Sequence, residues 1–426
     1  MTIIEQLEKR KKLLAYLNSP SNEEIFTPVK LVEEMLDKLP KEIWTDPNLL
    51  WCDPCAKSGV FMLEVVLRLM KNIAIENETE RYKHIINNMV KAYVNVERNK
   101  WLVSKMVYGS KDSVNRVGII KDINKIKIEE MPKFDVVVGN PPFQKSTESK
   151  HKIYPAFINK SFDVCKDNGY VSLISPLPAI DMLLGRTASQ VSFKHNFKNI
   201  KYLAVGTPKK YFNVGDTFCY FVVKNENVKE SDTIIECYDI NKSIINFNTV
   251  LRKNSFVSQV NNSIINSILH KLLSNNNEFQ RSVSRIIDDK KHGTTKIIQK
   301  LTNNNFIFAY TDIFHEDSKK SKIIFGISGN KYLIVKENEN IMNGSSACAY
   351  VITKDENESN NIIKFLDSKL VTFVMQYCFN QIQNKYYYAL QWFKKPILCD
   401  IFNINNIYKF YGLTQEEIDY IESQVK

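Results

Sequence analysis

Apolar residues follow two rhythms through the first half of the chain. Short β-branched and aromatic runs, read as strands, alternate with stretches whose apolar positions return every three or four residues, read as helices. The strand-like runs are Leu49–Cys52, Lys91–Glu97, Gly118–Asp122, Phe134–Gly139, Gly169–Pro176, Ile200–Val205 and Thr217–Lys224. Between them, residues 1–20 read as a charged amphipathic helix, and Val29, Val32, Met35, Leu36 and Leu39 fall on one face of a second. Helices also follow Met62, Asn99 and Tyr154. Strand and helix in alternation predict an α/β unit with a doubly wound, largely parallel sheet.

The rhythm changes after this. Asn225–Thr233 is polar and reads as a loop, and the composition moves towards Asn, Ile and Ser near Ser243. A domain boundary is therefore expected at about residue 245. Beyond it, Ile323–Val335 and Ala349–Thr353 alternate as strands, Asn361–Tyr377 reads as a helix, and Gln381–Lys395 is rich in Tyr and Trp. A smaller α+β domain over 246–426 follows.

Two domains suit a chain of 426 residues that is 44% hydrophobic and 25% charged. No run of about 18 apolar residues is present. Met1–Lys12 is charged rather than signal-like, so a soluble cytoplasmic protein without membrane contact is expected. The formal charge is +11. Between Leu251 and Lys300 nine basic residues face three acidic ones, which suits either a polyanion partner or a solvated basic face. Eight cysteines lie scattered without a framework, as reduced thiols do. Cys52 and Cys55 form a lone Cys-x-x-Cys with no second pair or His cluster at zinc spacing, so no metal is expected.

The candidate chemistry sits after Phe134–Val138. Gly139-Asn140-Pro141-Pro142-Phe143 closes that strand with two prolines that fix the backbone and give no N–H. An ordinary strand-ending turn could have this form. A stiff turn at the carboxyl end of a central strand could also present two acceptors, the Asn140 side-chain oxygen and the Pro141 carbonyl, to a planar amino group. Phe143 would offer a face for stacking.

Asn140-Pro141-Pro142-Phe143 resembles the Asn-Pro-Pro-Tyr/Phe motif of S-adenosylmethionine-dependent amino-methyltransferases. Upstream, Asp53-Pro54-Cys55-Ala56-Lys57-Ser58-Gly59-Val60-Phe61 resembles their cofactor loop, with Lys57 where that pattern carries its first glycine. Thr27-Pro28 is similar to the segment preceding that loop in DNA methyltransferases, and Thr27 could cap a helix with Pro28 at its first position. The order of Thr-Pro segment, loop, catalytic turn and C-terminal extension is similar to the gamma group of DNA adenine-N6 methyltransferases of restriction-modification systems. The resemblance covers about residues 24–224.

It implies a Rossmann-like methyltransferase domain over 1–245 and a DNA-specificity domain over 246–426. It also implies methyl transfer from S-adenosyl-L-methionine to the N6 amine of an adenine flipped out of double-stranded DNA. The cofactor would be held by Thr27, Pro28, Asp53, Pro54, Ala56, Ser58, Gly59, Phe61, Glu97, Asp122 and Asn140, with Glu97 on the ribose and Asp122 on the adenine. Catalysis would rest on Asn140, Pro141, Pro142 and Phe143, with Phe212 or its neighbour Tyr211 covering the second face of the base. The polar stretch Gln144–Lys152 would be a flap.

Other assignments compete. A cytosine-C5 enzyme needs a nucleophilic Cys after the fourth strand, whereas Pro54-Cys55 lies in the cofactor loop. Cytosine N4 stays open, because the same two acceptors serve either amine. RNA guanine and release-factor glutamine methyltransferases share the tetrapeptide but lack a basic C-terminal domain of this size, and a non-catalytic DNA-specificity subunit is a further alternative. About 25 residues precede the Thr-Pro segment and no nuclease constellation is recognisable, so any cognate endonuclease is expected on a separate chain. A monomer is expected.

Overall fold

The computed structural model describes residues 1–17, 26–125, 128–144, 152–186, 192–212, 217–273, 295–302, 305–312, 316–327, 329–343, 345, 347–379, 385–394 and 404–425. The described chain divides into two compact units. The first comprises Met1–Tyr238 with Ser243–Ser255, and the second comprises Asp239–Lys242 with Phe256–Lys426.

The first unit is built on a nine-stranded sheet in the order β3-β2-β1-β4-β5-β7-β6-β8-β9. Its strands are β1 (Trp51–Asp53), β2 (Val90–Val94), β3 (Val117–Ile119), β4 (Phe134–Gly139), β5 (Cys165–Pro176), β6 (Lys198–Val205), β7 (Phe218–Asn227), β8 (Glu230–Tyr238) and β9 (Ile244–Arg252). β1 to β5 pair in parallel, and β7 runs antiparallel to both neighbours, β5 and β6. The helices before β4 are α1 (Ile3–Ala15), α2 (Val29–Leu36), α3 (Val60–Asn72), α4 (Glu78–His84) and α5 (Glu97–Val107). After it come α6 (Tyr154–Val164) and α7 (Ala179–Leu183). This is the expected α/β class.

Central strands carry the apolar runs because both of their faces are covered. Val136, Val137 and Val138 of β4 are fully buried, as are Leu63, Val65 and Val66 of α3. Trp51 of β1 is fully buried too, stacked on Trp44 with 4.6 Å between ring centroids.

The second unit carries two three-stranded sheets and a helical layer. One sheet joins β10 (Thr295–Thr302), β11 (Asn305–Thr311) and β14 (Ile341–Asn343). The other joins β12 (Lys322–Gly326), β13 (Tyr332–Val335) and β15 (Cys348–Ile352). The helices are α8 (Ser263–Leu272), α9 (Glu356–Leu366), α10 (Lys369–Thr372), α11 (Lys385–Trp392), α12 (Ile404–Phe410) and α13 (Gln415–Gln424). No helix among the described residues is long and apolar enough to cross a membrane.

Three expectations need correction. The boundary at 245 falls inside β9, which pairs with β8 from Ile244 to Arg252 and so belongs to the first sheet. Asn225–Thr233 is not a loop, because β7 runs to Asn227 and β8 starts at Glu230. Its polarity misleads: Ser231 and Thr233 are buried, and each donates its hydroxyl to the Ile200 carbonyl at 2.7 Å. Asn361–Tyr377 is not one continuous helix. α9 stops at Leu366, and Ser368 starts a new helix by accepting from the Val371 N–H.

Candidate active site

β4 lies between β1 and β5, so its carboxyl end opens where two parallel neighbours also end. Gly139 is its last residue. A Cβ there would stand 2.7 Å from Asp53 Oδ1, so the missing side chain is what lets the ends of β1 and β4 close on each other. Asn140 follows, 5% exposed. Its Nδ2 donates to Thr27 Oγ1 at 3.1 Å, while its Oδ1 is buried without a hydrogen-bond partner. An orphaned buried acceptor costs about 1–3 kcal/mol, which makes this oxygen the most unusual polar atom of the turn.

Thr27 therefore does not cap its helix. Pro28, expected at the first helical position, is the N-cap of α2 and makes no side-chain cap bond, and the Thr27 hydroxyl goes to Asn140 instead.

Asp53 ends β1 with 1% exposure, and its Oδ1 accepts from the Cys55 N–H at 2.9 Å. Burial pushes its carboxyl up to about 7, against the pull of that bond and of nearby Lys57, itself 7% exposed. The chain then turns through Gly59, whose φ of 81° is the left-handed conformation that glycine adopts freely, and α3 begins. The first N–H groups of a helix lack intrahelical partners, which favours an anion at this point.

Thr27, Asp53, Ala56, Lys57, Ser58, Gly59, Phe61 and Asn140 line one cavity, together with Cys55 and Val60. Seven of these, all but Cys55, Lys57 and Val60, are residues expected to hold the cofactor. Four others lie outside its lining. Pro28 starts α2, Pro54 follows Asp53 with its ring near Gly139, and Glu97 is exposed in the first turn of α5, paired with Lys100 at 3.4 Å. Asp122 accepts from the Asn124 N–H at 3.0 Å, closing the short turn Ile123–Lys125. Glu97 and Asp122 follow the ends of adjacent strands, β2 and β3, as the sequence places them.

On the other side of Asn140, Pro141 is buried and Pro142 and Phe143 are half-buried. The Phe143 ring packs 5.5 Å from Phe218, and Phe212 packs 5.0 Å from the same ring. Phe218 was not singled out from sequence. It opens β7 opposite Pro176, the last residue of β5, and the only available signal was its place just after the Tyr211-Phe212 motif. Tyr211, the alternative to Phe212, donates its hydroxyl to Glu34 of α2. The flap region has its ends, Gln144 and Lys152, bridged to each other, and 145–151 lies outside the described residues. Of the nine basic residues between Leu251 and Lys300, Arg281, Arg285, Lys290 and Lys291 also lie outside them. Among the described residues no group of three His, Cys, Asp or Glu side chains is placed to hold a metal.

With this geometry in hand, comparison with known proteins gives a direct match. Residues 57–212 match the family described as Eco57I restriction-modification methylase. Over that segment the chain resembles a restriction-modification methylase. A curated relative from Mycoplasma pneumoniae, named an uncharacterized adenine-specific methylase, is 40% identical over 87 residues, which is 19% of this chain and 21% of the relative. The chain thus spans about a fifth of that relative. Among solved structures, the methyltransferase subunit of a type I restriction-modification system from Streptococcus thermophilus is 16% identical with a TM-score of 0.39, covering 55% of this chain and 53% of that one. The type IIG restriction endonuclease BpuSI is 11% identical with a TM-score of 0.39, covering 98% of this chain and 63% of that one.

Proposed function

We propose that the first unit transfers a methyl group from S-adenosyl-L-methionine to the N6 amine of an adenine in duplex DNA, within a restriction-modification system. The observation that carries this reading is the buried, partnerless Oδ1 of Asn140, aligned with a proline-stiffened turn on one side and the Asp53–Phe61 loop on the other. The loop's residues fit the cofactor. Gly59 admits close approach, the start of α3 offers N–H groups to a carboxylate, and Glu97 and Asp122 are acceptors for hydroxyl and amino groups. When bound, the cofactor supplies an electrophilic methyl group.

The chain's own residues act on the nucleophile. Adenine N6 is weakly nucleophilic because its lone pair is delocalised into the ring. Asn140 Oδ1 and the Pro141 carbonyl accept its two N–H bonds and draw the nitrogen towards tetrahedral geometry, localising that pair where the new bond forms. The two prolines hold both acceptors in place beforehand. Phe143 and Phe212 flank the extruded base, and Phe218 braces both rings. Extrusion costs a few kcal/mol, offset by stacking and phosphate contacts.

The second unit supplies DNA specificity. The setting is a cytoplasmic monomer. Incubation of DNA with labelled S-adenosylmethionine followed by mass spectrometry of its nucleosides tests the assignment. N6-methyladenine is expected from the parent and none from Asn140→Ala, which still binds S-adenosylhomocysteine. N4-methylcytosine as the product, or undiminished turnover by the variant, overturns it.

A further inference from the structure

We infer that Thr27 is a positioning residue for the reaction, its hydroxyl pinning one end of the Asn140 carboxamide so that the other end is held still for the incoming amine. The inference rests on the methyltransferase reading above and gives a second task to a residue that this reading already places at the cofactor cavity. A carboxamide carries an acceptor at one end and a donor at the other, and the two are nearly identical in shape. Only the acceptor end can bind the N–H of an amine. With Nδ2 committed to Thr27 at 3.1 Å, Oδ1 is the end left over, and it is the buried atom without a partner. Were the amide reversed, two N–H donors would face each other across the reacting centre.

The local structure is arranged for this bond at a cost elsewhere. A Thr just before a helix ordinarily accepts from the first-turn N–H groups, and loss of such a cap costs about 1 kcal/mol. In this chain the N-cap is Pro28, with no side-chain cap bond, and the hydroxyl is free to reach 113 residues along the sequence to Asn140. Pro28 restricts the preceding residue to extended backbone, which limits where the Thr27 side chain can point. Leu31, Val32, Met35 and Leu36 of α2 are fully buried, so the hydroxyl is carried on a packed helix start rather than on a loose loop. Thr27 is itself 8% exposed, and little water reaches the bond to compete for it.

The same helix anchors the opposite wall of the base site. Glu34, two turns on, accepts from the Tyr211 hydroxyl and lies 3.6 Å from Lys210, the two residues that precede Phe212.

The test compares Thr27→Val, which keeps shape but removes the hydroxyl, with Thr27→Ser, which keeps the hydroxyl. Single-turnover methylation of DNA is measured as S-adenosylmethionine is raised to saturation. Thr27→Val should lower the rate constant by about five- to a hundredfold, the range set by leaving a buried donor unpaired and its amide free to reverse. Thr27→Ser should return to within about threefold of the parent, an allowance under 1 kcal/mol, and because Thr27 also lines the cofactor cavity the Thr27→Val loss should persist when S-adenosylmethionine is raised until the rate no longer changes. Parent-like rates in Thr27→Val, a Ser variant as slow as the Val variant, or a Thr27→Val rate that more S-adenosylmethionine restores to the parent's would each overturn the inference. If the parent methylates no DNA, the activity assignment fails instead, and the parent control separates the two failures.

Discussion

Asp53 offers a test that needs no DNA and no turnover. Its carboxyl is almost completely buried, and its proton leaves near pH 7 rather than near 3.8, chiefly because burial penalises the charged form. Between those limits the native state holds a proton that the unfolded chain has already released. Raising the pH through this window therefore destabilises the fold, and above about 7 the penalty is fully developed. A rise of this size corresponds to about 4 kcal/mol, to order of magnitude. Asp53→Asn removes the titration while keeping a side-chain oxygen to accept from the Cys55 N–H. The variant should thus gain stability over the parent by roughly 4 kcal/mol on going from below pH 4 to pH 8. Urea unfolding followed by tryptophan fluorescence can read this, because Trp44 and Trp51 are stacked in the core beside Asp53. A stability difference that stays constant within about 1 kcal/mol across that range would refute the argument that burial dominates at this carboxylate.

Other substitutions probe neighbouring parts of the site. Gly59→Ala forces a left-handed alanine and brings its Cβ to 3.1 Å from Val107 Cγ2. About 1–2 kcal/mol of backbone strain should lower the thermal midpoint by roughly 5 °C and weaken S-adenosylhomocysteine binding in calorimetry. Gly139→Ala drives a methyl into Asp53 Oδ1, and overpacking of about 1–3 kcal/mol should appear in the same unfolding assay with a marked loss of methylation. Phe143→Ala should reduce both capture of the base and the rate; 2-aminopurine at the target position should fluoresce less with the variant than with the parent, and no emission from the parent would count against extrusion.

Much of the first unit was legible because its strands are buried on both faces and write themselves as apolar runs. β4 and the turn after it illustrate this: Val136–Val138 could only be a core strand, and two prolines mark where it must stop. What stayed hidden depended on partners distant in sequence. Thr27 reads as a helix cap by every local rule, yet its hydroxyl serves Asn140. Ser231 and Thr233 read as loop because their polarity is visible and the Ile200 carbonyl that satisfies them is not. That the Tyr211 hydroxyl is engaged could not be read either, because its partner Glu34 sits on α2. Phe218 looked like any strand residue, since only the pairing of β7 against β5 brings it to Phe143.

The reversal of β7 has a consequence for how such a protein can diversify. Because β7 runs against β5 and β6, the link between β6 and β7 begins and ends beside the ends of the parallel strands, with Gly206 N–H bonded to the Phe218 carbonyl at 2.9 Å. A crossover there would have had to traverse a face of the sheet. The link as it stands can be lengthened, shortened or rewritten without shifting any strand, so a family built on this scaffold could alter how Tyr211 and Phe212 grip a substrate while leaving the turn after β4 untouched.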